Sequence, residues 1–116
     1  MKAKQYLRPF HLAFPVLNIQ KAEHWYTKIL GCSIGRKSND WIDFNLFGHQ
    51  IVAHLTDTIT AETMNGVDGN NIPIRHFGVI LSVSVWNELV VRLEKLNVDF
   101  LIKPHVRFKN LKGEQH

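Results

Sequence analysis

Disulfides and cysteine-built zinc sites are the first things this sequence excludes. Its single cysteine, Cys32, has no partner for an intramolecular bridge and cannot found a site that needs two or more thiolates. A reducing compartment is expected, and any metal must be held mainly by imidazole and carboxylate. Long apolar runs are also missing. No stretch approaches the roughly 20 residues that span a bilayer, and the first ten residues, MKAKQYLRPF, are too polar for a secretory signal. The expectation is a cytoplasmic protein with no membrane partner. Charge of one sign is in short supply too: fourteen Lys and Arg against ten Asp and Glu leave a formal +4. The cations gather near the two ends, Lys2, Lys4 and Arg8, then Lys103, Arg107, Lys109 and Lys112. With no basic helix and no interleaved aromatics, they read as a solvated surface and not as a nucleic-acid partner surface.

What is present fits one folded domain. The 116 residues are 45% apolar and 21% charged, enough to build one core and too short for two. Pro9–Val16 alternates, with Phe10, Leu12, Phe14 and Val16 on one face and His11 and Ala13 on the other, which predicts a strand. Asn18 is a good N-cap. Ile19, Ala22, Tyr26, Ile29 and Leu30 follow at helical spacing, and Gly31 stands where a helix stops, so a helix is expected over 19–30. Extended stretches around 32–37, 41–47 and 50–56, the last two joined by a Gly48-His49 turn, complete a strand-helix-strand-strand-strand order.

The segment 57–72 is rich in Thr, Asn, Gly and Asp and reads as a linker. The pattern then restarts. Arg75–Val83 alternates like the first strand, Ser84 is placed to cap a helix carrying Val85, Leu89, Leu93 and Leu96, and extended pieces follow at 98–103 and 106–109. An offset of 65–66 lays His11 on His76, Ile19 on Val85, Leu30 on Leu96 and Ile34 on Phe100. The expectation is an α+β chain, a single domain over 1–116 made from a duplicated βαβββ unit: 8–56, a linker at 57–72, and an incomplete second copy at 73–116. On that offset the counterpart of residue 54 falls past His116, so the repeat stops short of its last strand.

Seven histidines are available for chemistry. His24 sits among charged helix residues, His49 in the expected turn, His105 beside Pro104 in a loop, and His116 at the end; none is expected to bind metal. His11, His54 and His76 each interrupt an apolar strand on the face opposite its hydrophobic set. Alone, each is an ordinary core histidine. Together they place three imidazoles on one concave sheet surface, where they converge if the sheet curls. Imidazole suits Fe, Zn, Ni and Mn, and two histidines with one carboxylate is a non-haem iron arrangement. The carboxylates Asp43, Asp57, Glu62 and Glu114 all read as surface or turn residues, so the carboxylate ligand is not found among them.

The stretches HLAFPVLNIQKAEHWYTKILGCSIG (11–35), FNLFGHQIVAHLTD (44–57), VDGNNIPIRHFGVIL (67–81) and KPHVRFKNLKGEQ (103–115) resemble the vicinal oxygen chelate superfamily. That superfamily includes glyoxalase I, type I extradiol dioxygenases, and fosfomycin- and bleomycin-resistance proteins. The likeness is to its small single-domain bacterial members. It implies paired βαβββ units forming a curved mixed sheet around a cleft with a divalent metal, Fe(II) favoured and Mn, Ni or Zn possible. It implies His11 and His76 as metal ligands, and His54 as an acid/base beside the metal, the position where extradiol dioxygenases carry histidine and glyoxalase I carries glutamate. The family's terminal glutamate lies beyond the last residue here. An extradiol-type enzyme on a small substrate with vicinal oxygens is the reading this implies, with a glyoxalase-type isomerase or a metal-free, bleomycin-resistance-like binder as alternatives. Trp41, Asn45, Gln50 and Arg107 are candidate lining residues, Arg107 for an anionic substituent, and homodimerisation is expected.

Overall fold

The structure, a computed structural model, describes residues 6–61 and 63–116, and the chain divides into two units, Met1–Thr60 and Ala61–His116. Both helices and strands are present in an α+β arrangement. Among the described residues no helix is long and apolar enough to cross a membrane.

The first unit is a complete βαβββ. It runs β1 (His11–Val16), α1 (Ile19–His24) continuing as a π-helical turn over Trp25–Ile29, β2 (Ser33–Lys37), β3 (Trp41–Leu46) and β4 (His49–Leu55). The strands form one sheet in the order β1-β4-β3-β2, with β1 and β4 parallel and the other pairs antiparallel. A parallel pair needs a crossover connection, and α1 with β2 and β3 supplies it. Asn18 caps the helix as its spacing predicts, its Oδ1 accepting from the Lys21 amide at 2.9 Å. The helix then widens. Thr27 Oγ1 donates to the Glu23 carbonyl at 2.6 Å, taking the acceptor an α-helix gives to the residue-27 amide. Gly31, at φ +80, ends the helical run.

Period-two alternation decides which face the helix covers. The register aligns Leu12 with Ile51 and Phe14 with Ala53 on β1 and β4, then Ile51 with Phe44 and Ala53 with Ile42 on β3. Ile42, Phe44, Leu46, Ile51 and Ala53 are buried on this face, with Ile19 and Ala22 of α1. The Tyr26 ring stacks on Phe44 at 4.9 Å and meets Phe14 at 5.4 Å. That burial, with the neighbouring Cys32, pushes the Tyr26 hydroxyl up to about 12. The turn between β3 and β4 is centred on Phe47 and Gly48, both at positive φ (49° and 90°). It lies one residue earlier than the expected Gly48-His49 turn, so His49 is the first residue of β4.

The second unit departs from the expected copy. Its strands β5 (Thr63–Val67) and β6 (Asn70–Ile74) form an antiparallel hairpin inside and just beyond the stretch 57–72, which composition marks as a linker. The hairpin turns on Asp68-Gly69, at φ 50° and 80°, the pair of left-handed residues that a type I′ turn demands. The flanking TMNGV and NNIPI lack the apolar alternation that would have exposed them as strands. Helix α2 (Val83–Lys95) is capped by Ser82, whose Oγ accepts from Val85 N at 3.4 Å, two residues ahead of the expected Ser84 cap. Residues 76–82, expected as a strand, carry no ladder. In unit 1, β1 is a strand because β4 pairs with it; among the described residues of unit 2 no strand takes that place. The pieces expected at 98–103 and 106–109 pair only through one bridge, Arg107 to Gln115.

Candidate functional site

The face of the unit 1 sheet turned away from α1 carries the polar side chains. The register sets His11 beside Gln50, Gln50 beside Asn45, Val52 beside Asp43, and His54 beside both Pro15 and Trp41. A side-chain chain links all four strands here. Arg36 Nε donates to Asp43 Oδ2 at 3.2 Å, Gln50 Nε2 donates to the same oxygen at 3.3 Å, and Gln50 Oε1 lies 2.9 Å from His11 Nδ1. A β-bulge between Ile34 and Lys37 brings Arg36 onto this face, and its guanidinium also lies 5.9 Å from the Trp41 ring centroid.

The polarity of this chain follows from its anchored end. Asp43, an ionised carboxylate paired with Arg36, can only accept, so the Gln50 amide must present its NH2 to Asp43 and its carbonyl oxygen to His11. His11 must then carry its proton on Nδ1, which leaves Nε2 as the imidazole's lone pair, on an exposed side chain. Metal-binding histidines share this form: one ring N–H is held by an oxygen acceptor while the other nitrogen is offered to the ion. His76, in unit 2, takes the same form by another route, its Nδ1 donating to the Pro73 carbonyl at 2.7 Å. His49 takes the opposite one. Its Nδ1 accepts from the Phe10 amide at 2.8 Å, so this histidine pins the start of β1 and is half-buried, not exposed in a turn.

One expectation changes on this geometry. Asp43, read from sequence as a surface or turn carboxylate, is only 6% exposed and is the anchor of the chain to His11. His54 shares the polar face but stands four residues along β4 from Gln50, the register partner of His11. At roughly 3.3 Å per residue their backbones are offset by about 13 Å along the strands, so the two imidazoles are not hydrogen-bond neighbours. Unit 1 therefore places His11 and His54 on one face without direct contact between them. Of the proposed lining residues, Trp41, Asn45 and Gln50 lie on this face, with Asn45 Oδ1 already accepting from the Gly48 amide at 2.8 Å. Arg107 belongs to unit 2. Asp57 is exposed, Glu114 is held low chiefly by the Asn110 amide and His116, and Glu62 lies outside the described residues. Among the described residues, no three His, Cys, Asp or Glu side chains gather as metal ligands within either unit.

No protein-family model matches the chain, and no curated protein matches it. Solved structures do. One is a glyoxalase/bleomycin resistance protein/dioxygenase from Alicyclobacillus acidocaldarius, 29% identical, with a TM-score of 0.77 over 92% of this chain and 76% of that one. The fold is that of the glyoxalase/bleomycin resistance/dioxygenase proteins. Its structural neighbours are consistent with the vicinal oxygen chelate superfamily. Two integron cassette proteins share the fold at lower identity. One, from the mobile metagenome of the Halifax Harbour sewage outfall, is 22% identical with a TM-score of 0.59 over 77% of this chain and 70% of that one. The other, from V. cholerae, is 16% identical with a TM-score of 0.56 over 97% and 84%. In this fold the βαβββ unit seen at residues 11–55 is where His11 and its supporting Gln50 and Asp43 reside.

Proposed function

We propose that this chain is a metal-dependent enzyme of the extradiol-dioxygenase type, holding Fe(II), or Mn, Ni or Zn in its place, and acting on a small substrate with vicinal oxygens. The observation that carries the reading is the hydrogen-bond chain that ends on His11. The Arg36–Asp43–Gln50 chain commits its Nδ1 proton and leaves Nε2 as a metal-binding lone pair. His11 and His76 are the candidate ligands, each with Nδ1 on an oxygen acceptor and Nε2 left as a lone pair. A bound divalent ion supplies Lewis-acid charge and a template for the two substrate oxygens. The chain's own contribution is orientation. Asp43, buried and paired, keeps Gln50 from turning its amide, and Gln50 keeps the His11 ring from rotating. Trp41 and Asn45 supply the neighbouring surface of the face. His54 is the acid/base of this reading, exchanging a proton with the substrate and not with His11. Assembly as a homodimer belongs to the reading, β1 and β2 being the edges of the unit 1 sheet.

A metal-free binding protein is the second reading, favoured by the lack of a three-ligand cluster within either unit among the described residues. Thermal melting and calorimetric titration with Fe(II), Mn(II), Ni(II) and Zn(II) divide the two. On the metal reading His11→Ala and His76→Ala each lose the ion's stabilisation while His54→Ala keeps it. A wild-type chain that no divalent ion stabilises leaves the binder. Catechol ring opening, followed by its yellow product, against hemithioacetal isomerisation then separates the two enzyme classes.

A further inference from the structure

Unit 2 holds an open pocket of about 400 Å³ lined by Asp68, Asn70, His105, Val106, Arg107 and Phe108. Its volume falls within the range of small-molecule pockets. One wall is the turn of the β5–β6 hairpin and the other is the segment 105–108, so the cavity lies wholly inside this unit. We propose that it is a binding site for a small organic carboxylate with an apolar body, with Arg107 as the residue that takes the carboxylate.

Arg107 is held in place from three sides. Its backbone makes two hydrogen bonds with Gln115, at 2.6 and 2.9 Å. Its Nε lies 2.7 Å from Asp68 Oδ2, and its guanidinium carbon lies 4.9 Å from the centroid of the Phe108 ring. The ion pair is close, yet Nε is sealed from solvent and not aligned for a hydrogen bond to that oxygen. Asp68 thus meets one edge of the guanidinium by charge. The two Nη groups, with four of the five N–H donors, form the planar fork that fits a carboxylate bidentately. Asp68 is half-exposed, so water screens its negative field. The rest of the lining suits the body of such a ligand. Val106 and Phe108 are apolar. His105 donates Nδ1–H to the Lys103 carbonyl at 3.0 Å, which leaves its Nε2 as an acceptor for a ligand hydroxyl.

This proposal is independent of the metal reading, because none of its residues is a proposed ligand and its test uses no metal. Benzoate is titrated into the full chain, followed by calorimetry and backbone-amide NMR, with benzyl alcohol as the uncharged comparison. Wild type binds benzoate and not benzyl alcohol, with amide shifts at 68–70 and 105–108. Arg107→Gln weakens benzoate at least tenfold, Arg107→Lys loses most of the affinity because an ammonium lacks the fork, and Lys109→Gln changes it less than twofold. Val106→Trp fills the cavity with Arg107 kept, and it also abolishes binding. Retained affinity in Arg107→Gln or Val106→Trp, or an equal loss in Lys109→Gln, overturns the proposal, as does binding of the alcohol as tightly as of the acid.

Discussion

Replacing Gln50 by Leu removes the one side chain that joins His11 to Asp43, and its consequences for stability and for the imidazole are separable. The bond lost to Asp43 is to a charged group, where a hydrogen bond contributes about 1.5–3 kcal/mol. At 3.3 Å it is long, and Gln50 is exposed enough for water to replace part of it. Asp43 keeps its Arg36 partner at 3.2 Å, so the loss is expected below that range, about 1 kcal/mol, or a fall of about 4 °C in Tm. The effect on His11 is larger in kind. With Gln50 Oε1 gone, Nothing in the described contacts of His11 fixes the proton on Nδ1, and the neutral ring redistributes between its two tautomers.

Nitrogen NMR of the imidazole reads this directly. In the wild type, neutral His11 shows a protonated Nδ1 and an unprotonated Nε2, and in Gln50→Leu the two signals move toward an exchange average. If metal binds as proposed, affinity falls about 10–100-fold in the variant, the usual cost of losing an outer support to a ligand histidine. A wild-type His11 with an unprotonated Nδ1, or a pair of nitrogen signals that Gln50→Leu leaves unmoved, refutes the polarity assigned to the chain.

Other substitutions probe the scaffold beneath the site. Phe44 is 1% exposed and stacked under Tyr26, so Phe44→Ala is expected to cost about 3–5 kcal/mol in denaturant unfolding; a loss under about 1 kcal/mol contradicts the packing described. Tyr26 titrates higher folded, at about 12, than the ordinary value of 10.0, so the folded state holds this proton more tightly. Its stabilisation is complete below pH 10 and lost as pH rises toward 12, by about 1–2 kcal/mol once the solvent reaching the half-buried ring is allowed for. Alkaline unfolding that is no steeper in wild type than in Tyr26→Phe contradicts this. Asn18→Ala removes the cap of α1 and is expected to cost about 1 kcal/mol, with Asn18→Asp largely preserving stability; equal melting of all three proteins denies the cap its role.

The first unit was legible because each of its elements advertises itself locally. The alternation of Leu12, Phe14 and Val16, the Asn18 cap and the stop at Gly31 are all decided within a few residues of chain, and the structure places β1, α1 and the helix end there. The support of His11 was not legible, because it rests on register. Arg36 reaches Asp43 only because a bulge re-aims it, and Asp43 is buried only where β3 meets β2 and β4. A carboxylate flanked by Trp41 and Asn45 looks like a surface residue until the strands on either side of it are known. The hairpin at 63–74 escaped for a different reason: its Asp68-Gly69 turn is a strong signal, but neither flank alternates.

The duplication illustrates what a repeat in sequence carries and what it does not. The offset of 65–66 residues places His11 on His76, and the two imidazoles do share a chemical form, with Nδ1–H given to an oxygen and Nε2 left available. The means differ. His11 is on a paired strand and leans on a glutamine from the neighbouring strand, whereas His76 follows a hairpin and leans on a carbonyl three residues back. A strand pattern in sequence specifies faces, and a ladder needs a partner as well. Residues 76–82 keep the alternation of β1 with no ladder partner among the described residues, so the pattern survives there and the strand does not. What the two copies retain in common is therefore a hydrogen bond from the imidazole Nδ1 to an oxygen. That is the property a metal ligand requires, and it is indifferent to whether the acceptor holding the proton is a side-chain amide or the backbone.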